Sequence, residues 1–400
     1  MVNEEVQAKQ AKVRPAQKKE IGAEAFVFIA VFVGVLGIFA WKMGMVNAMN
    51  TMMNTAYKLL TDTVLYLTAI CVLMGAVSSM FSEFGVVSLT NRVLRPLMQP
   101  LYGLPGAASL GIVTTFLSDN PVILTLADDA YFRSFFKKYQ FPALTNLGTS
   151  FGMGMIVCTF MVGLSAHTGQ SYVLSVLVGL LGAVVGSIVS TRLMLHFTRK
   201  IYGTEEGMAD DARNMSGIEK NMRPVRPGSV GSRLMAAILE GGGTGVKMGV
   251  SIIPGVLIIC TVVMMLTNGP SADGTYTGAA YEGIRLLPWL ADKCSFILKP
   301  LFGFSSPEAV GVPITALGAA GAAIGVAERL VTEGLANAGD VAVFTAMCMC
   351  WSGYLSTHVS MMNSLHCENL ISKAIISHTV GGLCAGVAAH WLYVLLSLIG

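Results

Sequence analysis

Ser118-Asp119-Asn120-Pro121 interrupts an apolar run and is the most chemically loaded tetrapeptide in the chain. Proline directly after Asp-Asn suits the first turn of a helix, so the motif reads as an ordinary N-cap. The same geometry serves a second purpose at membrane depth. Asp119 and the oxygens of Thr114, Thr115, Ser118 and Asn120 can meet a cation or a polar solute, while a helix start turns unpaired N–H groups and a positive dipole end toward it. Asp119 is the candidate coupling residue. Asp128 and Asp129, farther along and near Arg133, Lys137 and Lys138, read as interfacial ion pairs.

Three other groups could wall such a site. Asn146, Thr149 and Ser150 fall within one helical turn and line either a pocket or a helix contact. Thr315, Gly318 and Gly321 surround an uncharged turn at Leu317–Gly321, where glycine lets the backbone approach a ligand closely. Ser352, Ser356 and Ser360 recur at spacing four around His358, whose imidazole titrates near neutrality and could relay protons or be a satisfied polar group. Glu328, Arg329 and Glu333 read as a solvated or paired limb end, with Glu328 deepest.

Catalysis has little to stand on. The sequence holds no GxSxG elbow, phosphate loop, HExxH or dinucleotide fingerprint. Cys348, Cys350, His358, His366 and Cys367 lack the spacing of a metal site, and no cofactor is implied beyond a coupling Na⁺ or H⁺. Nearly all eight cysteines lie in apolar runs, which excludes a disulfide framework.

The elements that must position these residues are membrane helices. Apolar residues make up 54% of the chain, charged ones 12%, and the mean hydropathy is +0.65. A water-soluble domain of this size could not cover that much apolar surface. Within lipid the backbone must be satisfied internally, and the long runs favour helices over barrel strands. Seven stretches are long enough to cross: 24–41, 61–81, 142–165, 171–198, 246–267, 340–362 and 373–399. Two further apolar regions, 106–132 and 308–336, are broken in the middle and suit re-entrant helical hairpins. The expected fold is therefore an all-α polytopic membrane protein with about seven transmembrane helices and two re-entrant hairpins.

If each hairpin returns to its own side, 20 of the 26 Lys and Arg residues share the face of the N-terminus and the 192–247 loop. The positive-inside rule then makes the N-terminus cytoplasmic and the C-terminus external in a bacterial inner membrane. Residues 1–23 read as a cytoplasmic segment, 24–41 as an extra first helix that is retained, and 200–245 as a cytoplasmic linker.

Pro100-Leu101-Tyr102-Gly103 precedes the first broken segment, and Pro300-Leu301-Phe302-Gly303 precedes the second, 200 residues later. The order of elements around them also agrees: a span, an amphipathic stretch (86–99 and 281–299), the hairpin, then two spans. The units 57–199 and 246–400 thus form a repeat. Each crosses three times, an odd number, so the second copy is inverted, a plan shared with many secondary transporters.

Over 57–399 this arrangement, with the Phe116–Pro121 turn and the paired PLYG and PLFG, resembles the nucleoside-recognition or Gate domain superfamily. That superfamily includes the concentrative nucleoside transporters, the YjiH-like membrane proteins and the spore maturation proteins. The resemblance implies a secondary transporter of a small polar, nucleoside-like solute, or a non-transporting membrane component that works with a partner protein. The transporters' acidic substrate motif is not written out in this chain. The expected partners are the lipid bilayer, a small solute and a further copy of the chain in a homo-oligomer. Nucleic acid is excluded, because no basic and aromatic surface accompanies the net charge of +3.

Overall fold

The computed structural model describes residues 21–128, 130–207, 225–271 and 273–399. Asp129, residues 1–20 and the middle of the linker lie outside these, as does the side chain of Asp128. Every regular element among the described residues is helical, and six helices are long and apolar enough to cross a membrane. The chain is an all-helical polytopic membrane protein.

Helix α1 (Ala23–Met43) is almost wholly exposed along its length, as expected of a lipid-facing helix. Helix α2 (Met45–Lys58) continues through a π-turn at Leu59–Val64 into α3 (Leu65–Glu83). The amphipathic α4 (Val86–Leu94) leads to a corner at Gly103, after which the chain bends by 116° into the first hairpin. The limbs of that hairpin are α5 (Ser109–Leu117) and α6 (Val122–Asp128).

The span expected as one helix over 142–165 is broken. It consists of α7 (Ala143–Thr149) and α8 (Gly154–Gly163), with Met153 at φ 54° between them. Helix α9 (Val173–Tyr202) completes the first unit, and α10 (Val230–Ser251) opens the second, passing through a π-turn into α11 (Thr261–Thr267). The expected amphipathic stretch 281–299 is an extended loop as far as Arg285, then two short helices, Leu286–Lys293 and Ser295–Phe302.

The second hairpin comprises α12 (Gly311–Gly318) and α13 (Ala320–Thr332), which meet at Ala319. The 340–362 span is broken as well, into α14 (Ala338–Cys350) and α15 (Tyr354–Ser364), with Gly353 at φ 64°. Helix α16 (Ile371–Ile399) ends the chain. Hydropathy measures the length of an apolar run and is blind to a local reversal of φ, which is why both spans read as continuous.

Local geometry recurs at the 200-residue offset. Gly103 and Gly303 both turn at positive φ. The loop after each corner is held by equivalent positions: Gln140 Nε2 donates to the Gly103 carbonyl at 3.0 Å, and the Ser305 amide donates to Asp340 Oδ1 at 3.0 Å. The Met153 amide donates to Ser118 O at 3.1 Å, and the Gly353 amide to Ala316 O at 3.0 Å. Each break is thereby tied to the tip of the hairpin in its own unit.

Two helix pairs frame these parts. Gly75 on α3 and Gly241 and Gly245 on α10 bring two backbones into contact, with Gly249 against the Thr68 side chain, as Gly182 and Gly186 on α9 do with Gly381, Ala385 and Ala389 on α16. A Cβ on Gly186 would stand 2.5 Å from the Gly381 carbonyl. Apolar side chains gain nothing by leaving lipid for one another, so close approach of small residues supplies the packing energy.

Candidate functional site

The first hairpin turns at Ser118–Pro121, where the amides of Val122, Ile123 and Leu124 donate to the carbonyls of Asp119, Asn120 and Pro121. Asn120 is fully buried. Its Nδ2 crosses to the other unit and donates to the Ser352 carbonyl, at the α14–α15 break, at 2.6 Å. Its Oδ1 has no protein partner and lies against the Cα of Gly152, where a methyl group would collide with it. Both helix breaks and the charged hairpin tip therefore meet at one point.

A broken helix leaves carbonyl acceptors and amide donors without intrahelical partners. Here some are reclaimed by the hairpin tips, while two buried oxygens, Asn120 Oδ1 and Thr149 Oγ1, are left over. Buried side-chain oxygens without protein partners, close in sequence to a hairpin tip and a helix break, are of the kind that can meet a cation or a polar solute.

The remaining expected residues divide. Thr115 and Thr315 each donate to the carbonyl four residues back, Gly111 and Gly311, at 2.7 Å, so their hydroxyls serve their own limbs. Asn146 is glue: its Nδ2 donates to Ser190 Oγ and to the Ala374 carbonyl, both at 3.0 Å. Ser150 bonds back to the Asn146 carbonyl at 2.8 Å. Asp119 accepts from the Asn120 amide at 2.7 Å and lies near Cys71 of α3.

At the second tip, Gly318 and Gly321 are small because Ile259 and Ile252 press on them. Ser352 lies buried in the break, off the expected stripe, whereas Ser356 is exposed and donates to the Gly353 carbonyl at 3.2 Å. The break between them dissolves the spacing-four pattern. Glu328 sits 3.8 Å from His167 across a cavity of about 250 Å³, and Arg329 pairs with Glu333 at 2.7 Å, so this limb end is paired.

His358 is fully buried, and neither ring nitrogen meets a protein partner in hydrogen-bond geometry. Its neighbour is a residue that sequence reading passed over. His378 on α16 is fully buried with its ring centroid 4.6 Å away. His378 Nδ1 lies 2.9 Å from Ser190 Oγ, and Nε2 lies 2.5 Å from the Cys350 carbonyl at the end of α14. A carbonyl only accepts, so Nε2 carries the proton, and Ser190, which accepts from Asn146, donates to Nδ1. The polar run Ser377-His378-Thr379 inside an apolar span was the available signal.

These features define a polytopic membrane protein in which paired hairpins and broken helices meet inside a helical frame. Its fold is that of the concentrative nucleoside transporters. A substituted form of the transporter CNTnw in an intermediate state superposes with a TM-score of 0.51 at 14% identity, covering 93% of this chain and 86% of that one. A doubly substituted, outward-facing form gives 0.49 at 13% identity, over 92% and 85%. An uncharacterized protein of Alkalihalophilus pseudofirmus is 26% identical over 133 residues, 33% of this chain. The match spans only 28% of that relative's length. No protein-family model matches the sequence.

Proposed function

We propose that the chain is a secondary active transporter of a small polar, nucleoside-like solute, coupled to a cation. The observation that carries this reading is the convergence of Asn120, Gly152 and Ser352, which joins a hairpin tip to the breaks of two helices and leaves Asn120 Oδ1 and Thr149 Oγ1 unpartnered. The solved transporters of this fold add weight to a transport function. Units 57–199 and 246–400 act as an inverted repeat whose two hairpins approach the site from opposite faces, with the N-terminus in the cytoplasm. Alternating access then follows from rocking one set of elements against the α3–α10 and α9–α16 frame.

Proteoliposome uptake across a panel of nucleosides, nucleobases and organic acids, with and without a cation gradient, tests the proposal. Gradient-dependent accumulation of at least one solute is expected. No flux for any of them, together with co-purification of a stoichiometric partner, would instead mark a membrane component that acts through another protein.

A further inference from the structure

Buried polar atoms without partners are rare, and each calls for a reason. His358 presents two of them on one ring, one turn beyond the break that receives Asn120. The Tyr354 carbonyl comes near without meeting hydrogen-bond geometry, and the surrounding rings, Tyr354 at 5.6 Å and His378 at 4.6 Å, offer aromatic faces.

The titratable groups around it are few. Helices α7 and α12, both packed against α15, carry no charged residue. On α16 the facing group is His378, whose two nitrogens are committed to Ser190 and Cys350, with Lys373 one turn before it. Glu368, on the short turn beside α15, is exposed. Of the two imidazoles, His378 is fixed in one neutral tautomer by its partners, and His358 has nothing that fixes it.

We propose that the coupling cation is a proton and that His358 carries it, bound together with the solute. When the break at Trp351–Gly353 opens to water, a hydronium ion transfers its proton to a free ring nitrogen and leaves as water. The resulting imidazolium has N–H donors with no good protein acceptor, so it is buried again only when a solute oxygen, carbonyl, hydroxyl or carboxylate, supplies one. Release reverses the step on the other side, the proton passing back to water. Proton and solute thus occlude together or not at all.

This inference rests on the transport reading, and two measurements separate their failures. The first needs no solute. Full-length protein in phosphatidylethanolamine–phosphatidylglycerol liposomes is treated with diethyl pyrocarbonate, which attacks neutral, water-accessible imidazole, and each histidine is quantified by peptide mass spectrometry. Carbethoxylation of His358 is expected at neutral pH, because a ring that carries protons must meet water at one stage of the cycle. No modification of His358 at any pH, while the exposed His196 reacts fully, overturns the proposal.

The second uses radiolabelled uridine as probe. An inward pH gradient of one unit should drive up to about tenfold accumulation, a sodium gradient none. In His358→Gln, uptake should fall and the ratio of gradient-driven to symmetric uptake should drop to one. Retention of that ratio in the variant, or a wild-type ratio of one with uridine counterflow intact, overturns proton carriage by His358. Absence of uridine counterflow counts against the nucleoside-like solute, and His358 is then decided by the carbethoxylation profile.

Discussion

Asn120 and Ser352 stand 232 residues apart and are joined by a single buried hydrogen bond of 2.6 Å, from the side-chain amide to a backbone carbonyl freed by a helix break. The bond holds a hairpin tip of one unit against the broken helix of the other. Gly152 lies so close to Asn120 Oδ1 that a methyl group displaces the amide. Gly152→Ala should therefore cut uptake by about tenfold or more and lower Tm by a few degrees. Asn120→Ala, which loses a buried bond worth about 1–3 kcal/mol, should do the same. The double variant should be no worse than either single one, since both act on one contact. Additive losses would separate Gly152 from the tip.

The frame makes its own prediction. Gly245 packs on the Cys71 carbonyl and Gly186 on that of Gly381, so leucine at either position must push two helices apart. Overpacking of this kind costs about 1–3 kcal/mol or more, and Gly245→Leu and Gly186→Leu should each lower Tm in detergent by several degrees. Gly34 and Gly37 on α1 have nothing within 4 Å, and leucine there should leave Tm unchanged.

The spans, the two hairpins and the Asp119-Asn120 tip were legible because each leaves a mark in local composition: an apolar run, its interruption, a proline. The breaks were not. Met153 takes a positive φ with no glycine to announce it, and Gly353 is one glycine among 44. The role of Asn146 was open on sequence grounds because pocket and glue use the same amide; in the fold its Nδ2 bonds Ser190 and Ala374, partners 44 and 228 residues away that no local pattern announces. His378 was overlooked because its partners are a hydroxyl 188 residues away and a carbonyl that exists as a free acceptor only where α14 stops.

Glu282 organises the loop between Asn268 and Arg285. Nearly buried, it accepts from Ser271 Oγ at 2.6 Å, Thr277 Oγ1 at 2.7 Å and the amides of Thr277 and Gly278. The same loop is stitched to α2 through Asn47 and Asn54, each donating to a loop carbonyl at 2.8 Å. Burial pushes the Glu282 carboxyl up, but the donors from Ser271, Thr277 and Gly278 outweigh it and hold it below the usual glutamate range. A native pKa below the unfolded one means stability that is complete above the unfolded value, about 4.3, and is lost as pH falls through the native value. Glu282→Gln should cost about 1–3 kcal/mol at neutral pH. It should also flatten the acid limb of the Tm–pH curve; an unchanged acid limb would remove Glu282 as its source.

Topology can be read chemically from the same region. Cys294, between the two short helices that precede the second hairpin, is the one exposed cysteine among the described residues. With the basic 192–247 loop in the cytoplasm, Cys294 must face outward, because one complete crossing at α10–α11 separates them. A membrane-impermeant maleimide should label it in intact cells, and Cys294→Ser should abolish the signal. Thr204→Cys, placed at an exposed position beyond α9, should label only after permeabilisation. The two sites move together under any error in the total number of crossings before α9, so the inverted result, Thr204→Cys labelled outside and Cys294 inside, would mean an odd miscount among those crossings, as when the first hairpin spans the membrane. Labelling of both from one side would mean that the α10–α11 helix does not cross, and the second unit would then lose its inverted orientation.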